Sequence, residues 1–330
     1  DMYALWYANG TIGGRKYSAS NSTWWASVES IETTTSGVLT KAPSATVDGS
    51  FNVHLVYVDS AGAVKYRQRT SSWGSATTLD SGSGNTYATI TRETSSGDLY
   101  AFWISSTNQI KSSRYSGSWS SVTLETNTIA KSTLTSLYNV SSQANVAWAW
   151  SQGSASPYDV KFSVYGTSLN SRTIDTSTDS TPVSYNHQRK VFHDGAGNFW
   201  AFYWDGSKTV YTWSSDTATW ENTVSQAFST TGVDNPSVWF HDTGSTKIVY
   251  IVGDASTNDG DVNVRRGTIS GTTITWGTEA TSTVSGSNVA SKIAFITRDT
   301  SGYLWIASSM KPPPTTYNVA AARSSASVAS

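Results

Sequence analysis

Short runs of alternating apolar and polar residues fill this chain, and they recur in a fixed order. The clearest repeated phrase is an alternating strand, a small polar turn, an aromatic, and a second alternating strand. It reads GRKYSASNSTWWASVESI over 14–31, AVKYRQRTSSWGSATTL over 63–79 and QIKSSRYSGSWSSVTL over 109–124. It returns as DVKFSVYGTSLNSRTI over 159–174, with Leu169 in the aromatic slot, and as KTVYTWSSDTATWENTV over 208–224. A looser copy, DVNVRRGTISGTTITWGTEA, occupies 261–280. The anchors Trp24, Trp73, Trp119, Leu169, Trp220 and Trp276 stand 46 to 56 residues apart. A period of that size marks a repeat architecture.

Each repeat also carries two apolar strands around a Gly- or Ser-containing turn, as in SATVDGSFNVHLVYV (44–58) and YATITRETSSGDLYAFWI (87–104). STLTSLYNVSSQANVAWAW (132–150), QRKVFHDGAGNFWAFYW (188–204), NPSVWFHDTGSTKIVYIV (235–252) and ASKIAFITRDTSGYLWIA (290–307) follow the same plan. Val, Ile, Tyr, Phe and Trp in short runs broken by Gly, Asn, Asp and Ser read as strands and hairpins. No stretch has a 3.6-residue apolar period, so helix should be nearly absent.

Four antiparallel strands per repeat describe one blade of an all-β propeller. Stacking each blade on its neighbours buries both of its faces. The spacing predicts a single propeller domain over 1–330, with seven blades at 1–36, 37–81, 82–127, 128–178, 179–228, 229–282 and 283–330. The first blade begins at its second strand, MYALWYA (2–8), and the last stops after a third strand near 317–324. A six-bladed ring with extra terminal strands is the alternative. Asp48, Glu93, Asp194, Asp242 and Asp299 end inner strands just before tight turns, where acids accept hydrogen bonds from turn amides. The tryptophans read as core, packing one blade on the next.

Composition narrows the function classes. Charged residues are 14% of the chain against roughly 25% in typical soluble domains. Ser and Thr take their place, which suits an extracellular or cell-surface protein facing water and glycans. The net charge of −1 provides no basic field for nucleic acid. No apolar run is long enough to span a membrane. Cysteine is absent, which removes disulfides and thiolate metal sites. Sequons at Asn9, Asn21 and Asn139 are candidate N-glycosylation sites.

The segment Ser214-Ser215-Asp216-Thr217-Ala218-Thr219-Trp220 is a shortened form of the Ser-x-Asp-x-Gly-x-Thr-Trp turn. Ser72-Trp73 and Ser118-Trp119 keep only its end, and Asp299–Trp305 has the related Asp-x-x-Gly-x-Leu-Trp form. In these motifs the chain resembles the BNR-repeat, sialidase-like β-propellers. The resemblance implies a propeller fold over nearly the whole chain. Sialidase chemistry would need three arginines around a substrate carboxylate, and the usual Arg-Ile-Pro element is missing here. Arg67, Arg69 and Arg114 fall in third strands, while Arg92 and Arg298 sit beside turn acids.

The loops leading into inner strands hold the densest candidate chemistry. Tyr185-Asn186-His187-Gln188-Arg189 enters the fifth repeat, Asp234-Asn235 enters the sixth, and Asp205 lies in a nearby loop. Tyr185, His187, Arg189, Asp205, Asp234 and Asn235 together would bind a sugar acid; mutual hydrogen bonding that plugs a channel is the alternative. His54, His193 and His241 read as structural. The acidic loop 253–261 offers Asp254, Asp259 and Asp261 as oxygen ligands for Ca²⁺, with a plain solvated turn as the alternative. No other cofactor is implied. The leading expectation is an extracellular, non-catalytic propeller that engages glycans or other subunits of a surface assembly. The rival is a carbohydrate-active enzyme, a glycosidase or polysaccharide lyase, using Tyr185, His187, Arg189 and Asp234. Self-association through the incomplete terminal blade is a third expectation, because open strand edges invite pairing.

Overall fold

The alternating runs fold as strands, and where alternation gives way to continuous apolar sequence the strand is covered on both faces. Val53–Val58, Leu99–Ile104 and Ala147–Gln152 are buried at every position. Burial on both faces is what stacked sheets demand of their second strands. The outermost strands differ: Thr77–Asp80 is exposed or half-buried throughout.

In the computed structural model the chain is a seven-bladed β-propeller of small antiparallel sheets with almost no helix. The structure describes residues 2–8, 10–18, 20–33, 42–166, 171–254, 261–283, 293–310, 318–325 and 327. The first sheet is Met2–Ala8, Thr11–Ser18 and an outer strand split into Thr23–Trp24 and Glu29–Glu32. The second runs Ser44–Val47, Val53–Val58, Val64–Arg69, Thr77–Asp80. Thr86–Glu93, Leu99–Ile104, Ile110–Tyr115 and Trp119–Glu125 make the third. The fourth is Lys131–Ser136, Ala147–Gln152, Tyr158–Val164, Arg172–Ser177. The fifth is Val191–His193, Phe199–Trp204, Thr209–Ser214, Ser225–Gln226. Asp234–Asp242, Lys247–Asp254, Asp261–Ser270, Thr273–Trp276 and Ala280–Thr283 form the sixth. Ile293–Arg298, Leu304–Met310 and Asn318–Arg323 form the seventh. The only described helix is the 3₁₀ turn Gln143–Asn145, capped by the Ser142 hydroxyl.

Contacts divide the chain into two compact units. One holds Asp1–Ala155, Lys161–Thr173 and Tyr185–His187; the other holds Ser156–Val160, Ile174–Ser184 and Gln188–Ser330. In the first unit, Val56, Val58 and Tyr66 of the second sheet share a core with Ile90, Ala101 and Trp103 of the third. In the second unit, Trp200, Phe202 and Tyr211 of the fifth sheet pack with Val249, Ile251 and Ile274 of the sixth.

At three seams the repeated tryptophan meets a ring of the preceding sheet. Trp73 of the second sheet meets Tyr3 of the first edge-on at 5.8 Å. Trp119 of the third meets Tyr66 of the second at 4.8 Å. Trp276 of the sixth meets Tyr211 of the fifth at 5.9 Å and Phe202 at 6.5 Å. Edge-to-face geometry adds about 0.5–1.5 kcal/mol per pair beyond the area buried. Leu169, the substitute in the fourth repeat, lies outside the described residues.

The turn acids do what their positions predict. Asp48 Oδ1 accepts the amides of Ser50 and Asn52. Asp194 Oδ1 accepts those of Ala196 and Asn198, and Asp299 Oδ1 those of Ser301 and Tyr303. The residue after Asp48 is Gly49, yet the left-handed position of that turn is Phe51, with φ 63°. In the shortened sialidase-like turn, Asp216 Oδ1 accepts from Ala218 and Thr219 in the same manner.

Two strands depart from the expected plan. The loop after Lys131–Ser136 adds Asn139–Val140 in parallel to Thr86–Glu93, because Thr91 donates its hydroxyl to Leu137 O and Thr94 its amide to Val140 O. The fifth sheet's inner strand keeps only three residues, since Arg189 O instead accepts the Val238 amide of the sixth sheet.

Trp276→Ala should lower the stability read from denaturant melts by about 2–3 kcal/mol, as expected for losing a large seam aromatic. Trp25→Ala, at a residue 46% exposed whose ring meets only the Lys16 ammonium among the described residues, should cost about 0.5 kcal/mol. Phe51→Gly should stabilise by about 0.5–1 kcal/mol, because a β-carbon is disfavoured in the left-handed region.

Candidate functional site

The first unit brings one polar cluster to the seam between its first two sheets. In the hairpin Met2–Ser18, Leu5 pairs with Gly14 and Trp6 with Gly13. The Tyr3 ring lies over Gly14, where an added β-carbon would come within 2.4 Å of the ring. Glycine there lets Tyr3 lie flat along the sheet and reach the outer strand. Its hydroxyl donates to Glu29 Oε2 at 2.6 Å and receives the Trp73 Nε1 hydrogen at 3.0 Å. Arg69, at the end of the second sheet's third strand, clamps Glu29 with Nε at 2.8 Å and Nη2 at 2.6 Å. Its guanidinium also stands 5.0 Å from the Tyr3 ring centre.

Arg69 is almost wholly covered, whereas the Glu29 side chain is 26% exposed. The Arg69 hydrogen bonds hold the Glu29 carboxyl below its ordinary range, with desolvation opposing and the Tyr3 hydroxyl assisting. Burial and the neighbouring carboxylate push the Tyr3 phenol well up, so it remains a donor. Carboxylate, guanidinium, phenol and indole thus meet at one place that solvent reaches.

The seam motif has a second part closer to the inner strands. Tyr57 donates to Glu32 at 2.7 Å, and Arg67 approaches the same oxygen at 3.3 Å. One seam on, Trp103 and Lys111 both donate to Asp80 Oδ2, at 3.0 and 3.1 Å. In the second unit Tyr203 donates to Asp175 at 2.5 Å. Each time an aromatic on a second strand caps an acid on the outer strand of the preceding sheet. These acids are braces between sheets.

Of the six loop residues expected to bind ligand, Arg189 is buried and the other five are half-buried. Tyr185 and His187 belong to the first unit, half-buried, with rings stacked at 6.0 Å. Asn186 between them is fully buried and donates to the backbone oxygens of Ala42 and Ala88 at 2.7 and 2.6 Å. Arg189, Asp205, Asp234 and Asn235 belong to the second unit. Arg189 is 3% exposed. Gln188 Nε2 donates to Asn235 O and Ala294 O, and the wholly buried Lys190 donates to Gln188 Oε1 at 2.7 Å. Burial drives the Lys190 amine far below its ordinary range, against the pull of Asp254 and Asp234. Burial likewise raises Asp234. Asp205 closes its own turn by accepting from Ser207 and Lys208 amides.

Asp254, read from sequence as a calcium ligand, pairs in register with Asp234 and accepts from Asn235 Nδ2 at 3.2 Å. Asp259 lies outside the described residues, and for Asp261 only the strand is described. Among the described residues no cluster of three His, Asp or Glu side chains is placed to hold a metal. Asn21 and Asn139 are exposed, and Asn9 lies outside the described residues. His54 joins Tyr66 Oη at 2.8 Å to Asp48 Oδ2 at 3.2 Å, as a structural histidine would. No described helix is long and apolar enough to cross a membrane.

The seam cluster was not found from sequence, although one signal for it was present. Adjacent glycines, Gly13-Gly14, facing a strand with Tyr3 and Trp6 mark rings that lie against the backbone.

No family model and no curated protein sequence matches the chain. Among solved structures it is similar to the BP39L lectin from Burkholderia pseudomallei, with a TM-score of 0.57 and 12% identity over 96% of this chain and 93% of that one. A mutant of the Aleuria aurantia lectin in complex with Fucα1-6GlcNAc gives 0.51 and 10% identity over 87% and 96%. A Hadza microbial sialidase, Hz136, gives 0.55 and 11% identity, covering 80% of this chain and 62% of that chain. The chain therefore spans less than two thirds of that sialidase's length. Identities this low are a likeness of fold.

Because the fold favours ionised Glu29, its contribution to stability is present above the ordinary value of 4.5 and is lost as pH falls through the lowered value. Melting temperature measured against pH should therefore fall less steeply below pH 4.5 in Glu29→Gln than in the parent.

Proposed function

We propose that the chain is an extracellular, non-catalytic carbohydrate-binding propeller, and that the seam between its first and second sheets takes a sugar. The observation that carries this reading is the Glu29–Arg69 pair set beside Tyr3 and Trp73. Sugar hydroxyls need donors and acceptors at fixed separations, and a bidentate Arg–carboxylate pair supplies both without rotamer freedom. The guanidinium keeps N–H groups beyond those bonded to Glu29 and Thr70. Trp73 offers an apolar surface for sugar C–H groups.

Three further observations support it. The fold is shared with lectins, one of them in complex with a fucosylated disaccharide. The surface is rich in hydroxyls and low in charge, so it competes weakly for ions and hydrogen-bonds readily. Around the Tyr185–Arg189 loop, Gln188 and Lys190 are committed to their own hydrogen bonds, whereas Arg69 keeps N–H groups that Glu29 and Thr70 do not use.

A glycan array followed by calorimetric titration of the best ligand tests the proposal. Glu29→Gln, which preserves shape, should weaken binding at least about tenfold, the effect of losing one charged hydrogen bond of roughly 1.5–3 kcal/mol. Gly14→Ala, which displaces Tyr3, should weaken it comparably while the circular dichroism stays that of a β-protein. A folded protein that binds no glycan on the array would refute the reading.

A further inference from the structure

The second unit contains a cleft that the seam site does not account for. It opens beside the hairpin turn that joins Asp234–Asp242 to Lys247–Asp254 and has a volume of about 240 Å³. Asp242, Ser245, Thr246 and Lys247 line it on one side, and Ala196 and Ile269 supply apolar wall. Asp242 and Lys247 face each other across the hairpin as a register pair. We propose that this cleft is a second carbohydrate subsite, built for one neutral pyranose ring.

The polar groups are arranged before any ligand arrives. Asp242 Oδ1 is fixed by the Gly244 amide at 2.8 Å, and Oδ2 accepts from no described residue. Lys247 is held from below: its Nζ stands 3.8 Å from Asp194 Oδ1, whose carboxylate is fully buried and already receives two turn amides. The ammonium is thus steered toward the hairpin turn yet keeps N–H groups for a ligand. Thr243 Oγ1 accepts the Thr246 amide and lies 3.2 Å from Ser245 Oγ, so the turn that carries the lining is itself braced. A fixed acceptor and a tethered donor side by side on one wall of a small cleft match adjacent ring hydroxyls, one donating and one accepting. Ile269 and Ala196 would meet the C–H face.

Size and charge set the ligand class. Pockets that enclose drug-sized molecules are roughly 300–1,000 Å³, so this one takes a single ring and leaves a longer glycan projecting outward. Asp242 and Lys247 are the charged residues of the lining, which leaves it without net charge. No excess of positive charge is there to offset the desolvation of a uronate or sialate, a cost that a neutral sugar does not carry. Both seam and cleft would therefore be occupied by one ligand class at two separate places. The proposal rests on the carbohydrate-binding reading and adds a site to it.

The test uses the full chain with methyl α-mannoside, methyl α-fucoside, methyl β-galactoside and methyl β-glucuronide, followed by ligand-observed NMR and calorimetric titration. Neutral glycosides should bind at two sites per chain. Ser245→Trp, which fills the cleft from an exposed turn, should reduce this to one, and Asp242→Asn should weaken the same site at least fivefold. In a Glu29→Gln background, adding Ser245→Trp should leave only the weakened binding at the seam. The cleft proposal is overturned if Ser245→Trp and Asp242→Asn leave stoichiometry and affinity unchanged while Glu29→Gln removes all binding. It is also overturned if the glucuronide binds there more tightly than the neutral sugars. If no glycoside binds anywhere and the array is also blank, the parent reading fails with it.

Discussion

A four-stranded sheet of this sequence cannot stand alone, because its second strand is apolar on both faces. Among the described residues one contact answers this at three seams: a repeat tryptophan laid edge-on against a ring of the preceding sheet. Trp73 on Tyr3, Trp119 on Tyr66 and Trp276 on Tyr211 are the same contact made at the first–second, second–third and fifth–sixth seams. Their spacing along the chain is the repeat length. The low charge of the chain follows from the same constraint, since apolar second strands leave only turns and outer strands to carry ions.

The seams also explain where charge is kept. Glu32, Asp80 and Asp175 lie on outer strands and are capped by aromatic donors from the next sheet, which lets an acid sit near the core without being stranded. Glu29 belongs to this set by position but differs in environment. An arginine holds both of its oxygens, Tyr3 and Trp73 touch it, and its side chain is 26% exposed against 14% for Glu32 and for Asp80. A brace that solvent reaches has the parts of a recognition site, and on that ground the first seam is the one proposed for sugar binding.

Much of this was legible in the sequence. The Trp period and the alternating runs predict sheets, and seven sheets are found; the acids before tight turns predict the Asp48, Asp194 and Asp299 loops. What escaped were contacts between residues far apart in the chain. Tyr3 and Trp73 are 70 positions apart, and only the folded register brings Glu29 to Arg69. The loop at Tyr185–Arg189 drew notice because it concentrates Tyr, His and Arg. In the fold its neighbours Asn186, Gln188 and Lys190 are buried and bonded to backbone oxygens and to one another, which composition alone does not reveal. The cleft beside Asp242 was hidden in plain text: an acid and a lysine flanking a four-residue turn, Thr243–Thr246.

Seam packing, which holds the sheets together, is proposed also to build a sugar site at Glu29. A crystal structure of the chain soaked with the tightest glycoside tests this most directly. The account predicts sugar density beside Trp73, with ring hydroxyls within about 3.2 Å of Arg69 and Glu29. Density for the sugar elsewhere, with that seam closed and unchanged, would contradict it.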